Sequence, residues 1–308
     1  MKIIDLKSGA VLSAPDHPLA CAIGNFDGVH IGHRQLIEAT ADFCRQKNGL
    51  KCAVFTFENN TSGAPFLVSA EEKLKIAASC GAEIAVVAPF SEVHDMTCEV
   101  FVSEILIKKL NVVHAFCGFN FRFGKMGAGN GMILASLMNA QGRGTDILPP
   151  VTFEGAPVSS TRIREALANG DIALANKMLG RAFGFTSEVL HGKALGASLG
   201  FPTANQHIPH GAAMPRHGVY ASVCMVSGKR YPAVSNIGVR PSVENSGEAN
   251  CETNIIGYSG DLYGQTISVY PLVFIRPERR FSNAEELTVE VQRNREQARM
   301  ILKDVLQA

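Results

Sequence analysis

Residues 24 to 33 read Gly24-Asn25-Phe26-Asp27-Gly28-Val29-His30-Ile31-Gly32-His33, and this stretch decides the fold of the first half of the chain. A short apolar run, Leu19 to Ile23, precedes it. Gln35-Leu36-Ile37-Glu38-Ala39, with helical spacing and few breakers, follows it. The pattern predicts a strand, a glycine-rich turn and a helix. Glycines let backbone N–H groups approach an anion closely, and the helix behind them points its positive end at the same place. His30 and His33, three apart at the helix start, share one face and can reach one phosphate. A tight turn with two surface histidines is the plain alternative, and a bare His-x-Gly-His would favour it. The full run on a strand–turn–helix reverses that preference.

Working outward, the first half alternates strands and helices. Lys51 to Phe57 reads as a strand, and Ser69 with Glu72 as a capping box for a helix that runs to about Cys80 and stops at Gly81. Glu83 to Ala88 is an apolar strand. Thr97 starts a helix that ends near Leu110, and Val112 to Cys117 is the next strand. This alternation implies a parallel sheet with crossover helices, in which ligands bind at the carboxyl ends of strands. Ile172 to Leu179 is a further short helix. From about Phe183 the pattern changes to period two. Gly218 to Val226 and Arg230 to Ile237 form a hairpin through Ser227-Gly228, followed by strands over Cys251–Gly257 and Gln265–Arg276. Short strands at this spacing predict a small antiparallel barrel, closed by a charged helix from Asn283 to Leu306. The fold class is therefore α/β, with a domain over residues 1–182 and a barrel domain over 183–308.

The 308 residues suffice for two ordinary cores. A net charge of +1 gives no reason to expect nucleic acid or an acidic membrane as partner, so phosphate binding must be local. The N-terminus interrupts its apolar residues with charges and reads as no signal peptide. No run is long enough to cross a bilayer. The eight cysteines are scattered with no Cys-x-x-Cys pair, which favours free thiols in a reducing cytoplasm over disulfides or a zinc site.

Three further stretches carry chemistry. In Gly118-Phe119-Asn120-Phe121-Arg122-Phe123-Gly124-Lys125, phenylalanines alternate with polar residues. That is either a short strand with one buried face or a wall for a planar ring with cations for phosphate. Val158-Ser159-Ser160-Thr161-Arg162-Ile163-Arg164 places three hydroxyls at a helix start, where simple N-caps are common. The arginines behind them favour a triphosphate clamp. In the second half, a glycine-rich loop with Gly192, Lys193, Gly196 and Gly200 leads into Phe201-Pro202-Thr203-Ala204-Asn205. Pro202 holds Phe201 extended. The Thr203 hydroxyl and Asn205 carboxamide then face one hard, oxygen-loving cation such as Mg²⁺.

Gly24–His33 resembles the His-x-Gly-His signature of the nucleotidyltransferases. In its longer form it is similar to the bacterial bifunctional riboflavin kinase/FMN adenylyltransferases, or FAD synthetases. Gly118–Lys125 resembles that family's Gly-x-Asp/Asn-Phe-x-Phe-Gly element, residues 159–164 its Ser-Ser-Thr-x-Ile-Arg motif, and residues 202–205 the riboflavin kinase Pro-Thr-Ala-Asn motif. The resemblance implies that Gly24, Phe26, Asp27, Gly28, His30, His33, Asn120, Ser160, Thr161 and Arg162 bind ATP for adenylyl transfer, with His30 and His33 catalytic. It implies that Gly192, Lys193, Gly196, Gly200, Pro202, Thr203, Asn205, Asn236 and Arg279 bind ATP or flavin in the kinase half. Thr203 and Asn205 would hold Mg²⁺, with ATP as co-substrate. The ribityl 5′-hydroxyl needs a general base, and Glu252 matches the family's catalytic glutamate, although a lone strand glutamate is usually solvated.

Three positions depart from the family pattern. Phe57-Glu58-Asn59-Asn60-Thr61 stands where Phe-x-Pro-His-Pro is usual, Gly129-Asn130 where Gly-Asp is common, and Ala197 where kinase loops often carry Arg. The leading expectation is a cytoplasmic enzyme that converts riboflavin to FMN in the barrel and FMN to FAD, with release of pyrophosphate, in the first domain. The alternatives are a riboflavin kinase whose adenylyltransferase half is weak or lost, and a non-catalytic flavin-binding protein.

Overall fold

Strands buried on both faces read as near-continuous apolar runs, and the first half supplies several. In the computed structural model, which describes residues 1–7, 15–58, 63–191, 196, 199–239 and 249–305, these runs are the middle of a parallel sheet. The chain forms two compact units, Met1–Ser160 and Thr161–Ala308.

The first unit contains β1 (Lys2–Asp5), β2 (Leu19–Ile23), α1 (Ile31–Arg45), β3 (Lys51–Phe57), α2 (Ala70–Ser79), β4 (Ile84–Ala88), α3 (Phe90–Val93), α4 (Cys98–Val100), β5 (Val112–Gly118), β6 (Arg122–Phe123), β7 (Gly129–Asn130), α5 (Gly131–Asn139), β8 (Gly144–Leu148), β9 (Thr152–Phe153) and β10 (Ala156–Pro157). Six strands pair in the order β1-β4-β3-β2-β5-β8, every neighbouring pair parallel. Leu19, Cys21 and Ile23 point to one face, where Phe55, Leu106 and Met138 also pack. Ala20 and Ala22 point to the other, against Leu36, Ile37 and Ala77 of α1 and α2. Burial of each face under helices removes apolar area worth about 25 cal/mol per Å² from water.

Local signals set the helix ends. Ser69 accepts from the Glu72 N–H at 3.2 Å and Thr97 from the Val100 N–H at 3.3 Å, each starting its helix where expected. The helix from Cys98 does not stay α-helical. Over Phe101–Lys109 it winds with wider hydrogen bonds, and the Leu110 N–H reaches back five residues to Ile105. The stretch Gly118–Lys125 is not one strand. The Phe121 N–H turns back onto the Gly118 carbonyl, and only Arg122–Phe123 pair, with β7. Phe121 and Phe123 stack inward at 5.5 Å, whereas Phe119 is exposed.

The second unit holds α6 (Ser160–Asn169, apart from its first residue), α7 (Ile172–Leu179), β11 (Phe185–Leu190), β12 (Ala204–His207), β13 (Gly218–Val226), β14 (Lys229–Val239), β15 (Ala249–Ile255), β16 (Thr266–Arg276) and α8 (Ala284–Leu302). Its six strands close a barrel in the order β11-β12-β15-β14-β13-β16, all antiparallel. Closure leaves no open sheet edge. The expected hairpin is present, with Val226 paired to Lys229 across Ser227-Gly228. Helix α8 lies on the outer face, where Ala298 and Leu302 pack with Val219, Ala221 and Val223 of β13. All eight cysteines are free and buried. Burial alone pushes the Cys117 thiol up to about 11, so it is a poor nucleophile at neutral pH.

Candidate active sites

The parallel sheet reverses its winding direction between β2 and β5: β3 lies on one side of β2, and β8 on the far side of β5. Ligands in such sheets bind outside the carboxyl ends at this crevice. Both first-unit motifs follow those two strands.

The loop after β2 is tightly folded. Phe26, Gly28 and Val29 have φ of 53°, 79° and 37°, a left-handed run that only Gly28 adopts without strain. Several hydrogen bonds hold it. Thr56 donates to the Asn25 carbonyl at 2.9 Å, the Leu67 N–H to the Asp27 carboxylate at 2.9 Å, and the Ser160 hydroxyl to the Asp27 carbonyl at 2.8 Å. Strain of this kind persists only where the surroundings over-determine the backbone. Asp27 is buried, and the bonds it accepts from Leu67 and Ser160 brace the loop.

His30 is the N-cap of α1, and its Nδ1 accepts from the His33 N–H at 3.3 Å. The two imidazoles stack at 3.6 Å with planes 15° apart, and Phe26 closes edge-on against His33 at 5.3 Å. A side chain at Gly32 would press on the His30 ring at 3.3 Å, which accounts for the glycine between the histidines. His33 Nδ1 is enclosed and has no hydrogen-bond partner among the described residues. Burial first, then His30, then Lys73 hold His33 well below the usual histidine range, so it is neutral at pH 7. A neutral His33 with an orphaned ring nitrogen, stacked on His30 at a helix N-terminus, suits hydrogen bonding to a phosphate group.

Asn120 lies exposed in the turn after β5. Ser160 opens α6, and Thr161 and Arg162 follow in its first turn. Asn130, one of the departures, caps α5 by accepting from the Ile133 N–H at 3.0 Å. Asn and Asp perform that task about equally.

In the barrel, strand register places the chemistry. Asn205 of β12 lies directly opposite Glu252 of β15, and Glu252 lies directly opposite Asn236 of β14. Side chains at paired positions share a face, so the three form one row. Their chain neighbours Ala204, Gln206, Cys251, Thr253, Ser235 and Ile237 are buried in the opposite direction, and the row itself is half-buried. Thr203 lies just before β12, two residues from Asn205, and its hydroxyl faces Gly196 of the glycine-rich loop. The turn before β12 is anchored by Asn254, which donates to the Pro202 carbonyl at 2.8 Å. Inside the barrel Gln206 donates to the Ser187 and Ile267 carbonyls at 2.8 and 2.9 Å, which keeps Asn205 outward. The loop closes on itself through a Phe201 N–H bond to the Gly196 carbonyl at 2.9 Å. Asn236 Oδ1 and Asn254 Oδ1 are buried acceptors without partners among the described residues. Hard oxygens of Thr203 and Asn205 beside them fit a Mg²⁺ that keeps most of its shell for water and phosphate.

The chain as a whole resembles known proteins. Residues 179–302 match the riboflavin kinase family model, and residues 13–162 the FAD synthetase model. A bifunctional riboflavin kinase/FMN adenylyltransferase of Bacillus subtilis is 33% identical, over 90% of this chain and 90% of its own. One of Escherichia coli is 36% identical, over 93% of each. The chain belongs to the bifunctional riboflavin kinase/FMN adenylyltransferase family. A solved structure described as a macrolide-efflux protein from Streptococcus pneumoniae has the same architecture, with TM-score 0.87, 28% identity, and coverage of 97% of this chain and 99% of that one. No helix among the described residues is long and apolar enough to cross a membrane.

The riboflavin kinase half is the barrel, and the FAD synthetase half contains the parallel sheet. The enzyme phosphorylates riboflavin and adenylylates FMN. Gly192, Lys193 and Ala197 of its kinase loop lie outside the described residues, as do Asn59 and Asn60 of the loop after β3. Arg279 is engaged with α8: its guanidinium meets Glu290 at 3.2 Å and Glu286 at 3.6 Å, and lies over the Phe281 ring at 4.7 Å. Sequence reading missed Glu290 and Asn294, which also hold Arg276 at 3.0 and 3.1 Å. The signal was there, because Glu290, Asn294, Ala298 and Leu302 recur every fourth residue on the buried stripe of α8. It also missed Lys73, which joins Ile76 and Ala77 on the buried stripe of α2.

Proposed function

We propose that the two reactions run at the two constellations just described. The observation that carries this is the row Asn205–Glu252–Asn236, which sets a carboxylate beside a hard-oxygen cation site. In the kinase half, Thr203 and Asn205 hold Mg-ATP, with Pro202, Gly196, Gly200, Gly192 and Lys193 shaping its phosphate loop. Mg²⁺, when bound, neutralises charge on the phosphates. Glu252 takes the proton of the riboflavin 5′-hydroxyl as its oxygen attacks the γ-phosphorus of ATP, and ADP leaves. Asn236 orients reactants on the same row, and Arg279 fixes the loop before α8.

In the other half the FMN phosphate is already ionised, so adenylyl transfer needs no strong base. Its oxygen attacks the α-phosphorus of a second ATP, and pyrophosphate leaves. Catalysis is positioning and charge stabilisation. His30 and His33 donate to the reacting phosphate, with Gly24, Phe26, Asp27 and Gly28 shaping the loop. Asn120, Ser160, Thr161 and Arg162 hold the remainder of the nucleotide. We assign residues 1–182 to adenylyl transfer and 183–308 to the kinase; the FAD synthetase match ends at residue 162, and the riboflavin kinase match begins at residue 179, a few residues before this boundary. We further infer a cytoplasmic location, from eight free thiols, and no nucleic-acid partner, from a net charge of +1.

Incubation of the purified protein with riboflavin and Mg-ATP tests this reading. FAD as final product is the expected outcome. FMN alone would leave a kinase, and unchanged riboflavin a binding protein. The loop after Phe57 lacks the family's proline and histidine, so FMN is expected to accumulate early in the time course. FAD from the outset without an FMN phase would show that this loop does not slow adenylyl transfer.

A further inference from the structure

A buried ammonium lies beside the histidine pair. Lys73 is 6% exposed. Its Nζ donates to the Phe57 carbonyl at 2.6 Å and reaches the Asn25 carbonyl at 3.5 Å. Phe57 is the last residue of β3, and Asn25 belongs to the loop that carries the histidines. Among the described residues no carboxylate lies within ion-pair distance of it. An unpaired buried cation costs several kcal/mol. A shorter or apolar side chain would avoid that cost, and the neighbouring stripe positions of α2 are apolar.

We propose that Lys73 is a positioning residue for adenylyl transfer, its ammonium tying the histidine loop to the end of β3 and setting the electrostatic potential at His33. This rests on the reading of the histidines as the adenylyl-transfer site. Two carbonyls, one at the end of β3 and one in the loop after β2, converge on one Nζ, which ties the loop to the strand end. The titratable groups facing this ammonium are Asp27 from the loop after β2 and His33 from α1; His30 in turn faces His33. Glu58, next to Phe57, meets Lys7 instead at 2.9 Å. Burial brings Lys73 down to about 8, against the opposing pull of Asp27, so it remains mostly charged at pH 7. That charge disfavours a proton on His33. His33 therefore stays a neutral hydrogen-bonding group where the substrate phosphates would otherwise tend to protonate it.

The test compares full-length wild type, Lys73→Met, Lys73→Gln and Lys73→Arg. The readouts are FAD formation from FMN across pH, FMN formation from riboflavin, and the His33 imidazole titration followed by NMR. Met removes tether and charge, Gln retains a donor without charge, and Arg retains both. In Met and Gln the His33 titration is expected to move up by roughly one pKa unit, the size of a nearby like charge. The acid limb of FAD formation should move up with it. In Met, kcat/KM for FAD formation should fall by about 10²-fold, the cost of a small misplacement, with FMN formation unchanged. Arg should restore the His33 titration. An unchanged His33 titration in both Met and Gln would overturn the proposal, as would FAD formation in Met at the wild-type rate and pH profile. Gln carries the test if Met fails to fold. Wild-type protein that forms no FAD would sink the assignment of the site, while the His33 titration still decides the role of Lys73.

Discussion

The double replacement of His30 and His33 by alanine is expected to abolish FAD formation from FMN and ATP and to leave FMN formation from riboflavin intact. Removing one preorganised donor to a developing charge typically costs about 10²–10³-fold in kcat. Two stacked rings on the same helix start should cost at least about 10³-fold together. The reason is spatial: both rings belong to the loop and helix of the parallel-sheet unit, and the barrel has its own core. His30 also caps α1, so some stability is lost with it, about 1 kcal/mol. A thermal melt of the double variant separates that loss from the catalytic one. Loss of FMN formation in a folded double variant would contradict independent sites. Near-normal FAD formation would remove the histidines from the mechanism.

The state of His33 gives this site a pH signature. The folded protein holds His33 well below the value near 6.5 that it has in the unfolded chain. As the pH falls below about 6.5 the unfolded state gains a proton that the folded state refuses, so this group lowers stability on the acid side. At neutral pH it contributes no such penalty. FAD formation, if it uses neutral His33, should hold its rate below pH 6.5 until the histidine takes up its proton.

Glu252→Gln is the second large effect. The 5′-hydroxyl must lose its proton as it attacks, and a positioned base contributes roughly 10²–10⁴-fold to such a step. Gln keeps shape and volume but is far less basic. The kinase kcat should fall within about that range while riboflavin and ATP still bind, because Asn205 sits on another strand and Thr203 just before it. Asn250 donates to the Glu252 carboxylate at 3.4 Å, a contact that the Gln side-chain oxygen can still accept. FAD formation from supplied FMN should be unchanged. A solvated strand glutamate would instead alter kcat by less than about tenfold and stability by about half a kcal/mol. A near-normal kinase rate would therefore move the base elsewhere in the barrel.

Several features were legible from the chain alone because they are local. A glycine-rich turn between an apolar run and an amphipathic helix announces β2, the loop and α1 within one contiguous stretch, Leu19 to Arg45. Ser69 and Thr97 mark helix starts by bonds that span three residues. Period-two alternation and Ser227-Gly228 announce the hairpin of β13 and β14. The candidate residues of both sites were likewise named from contiguous motifs. The π-like winding of Phe101–Lys109 and the short pairing of Arg122–Phe123 were not, because tertiary packing overrides local preference there.

Only the tertiary structure decided which of those residues meet. Asn205, Glu252 and Asn236 form a row because three strands pair in one register, and a slip of one residue would turn Glu252 to the opposite face. Ser160 reaches the Asp27 carbonyl from 133 positions away, and Lys73 reaches Phe57 and Asn25 from a helix whose sequence shows an ordinary lysine among glutamates. The side-chain types and their local spacing set what chemistry the chain contains. Burial and register, which depend on pairings between distant segments, set the charge state of His33, the desolvation of Lys73 and the company of Glu252.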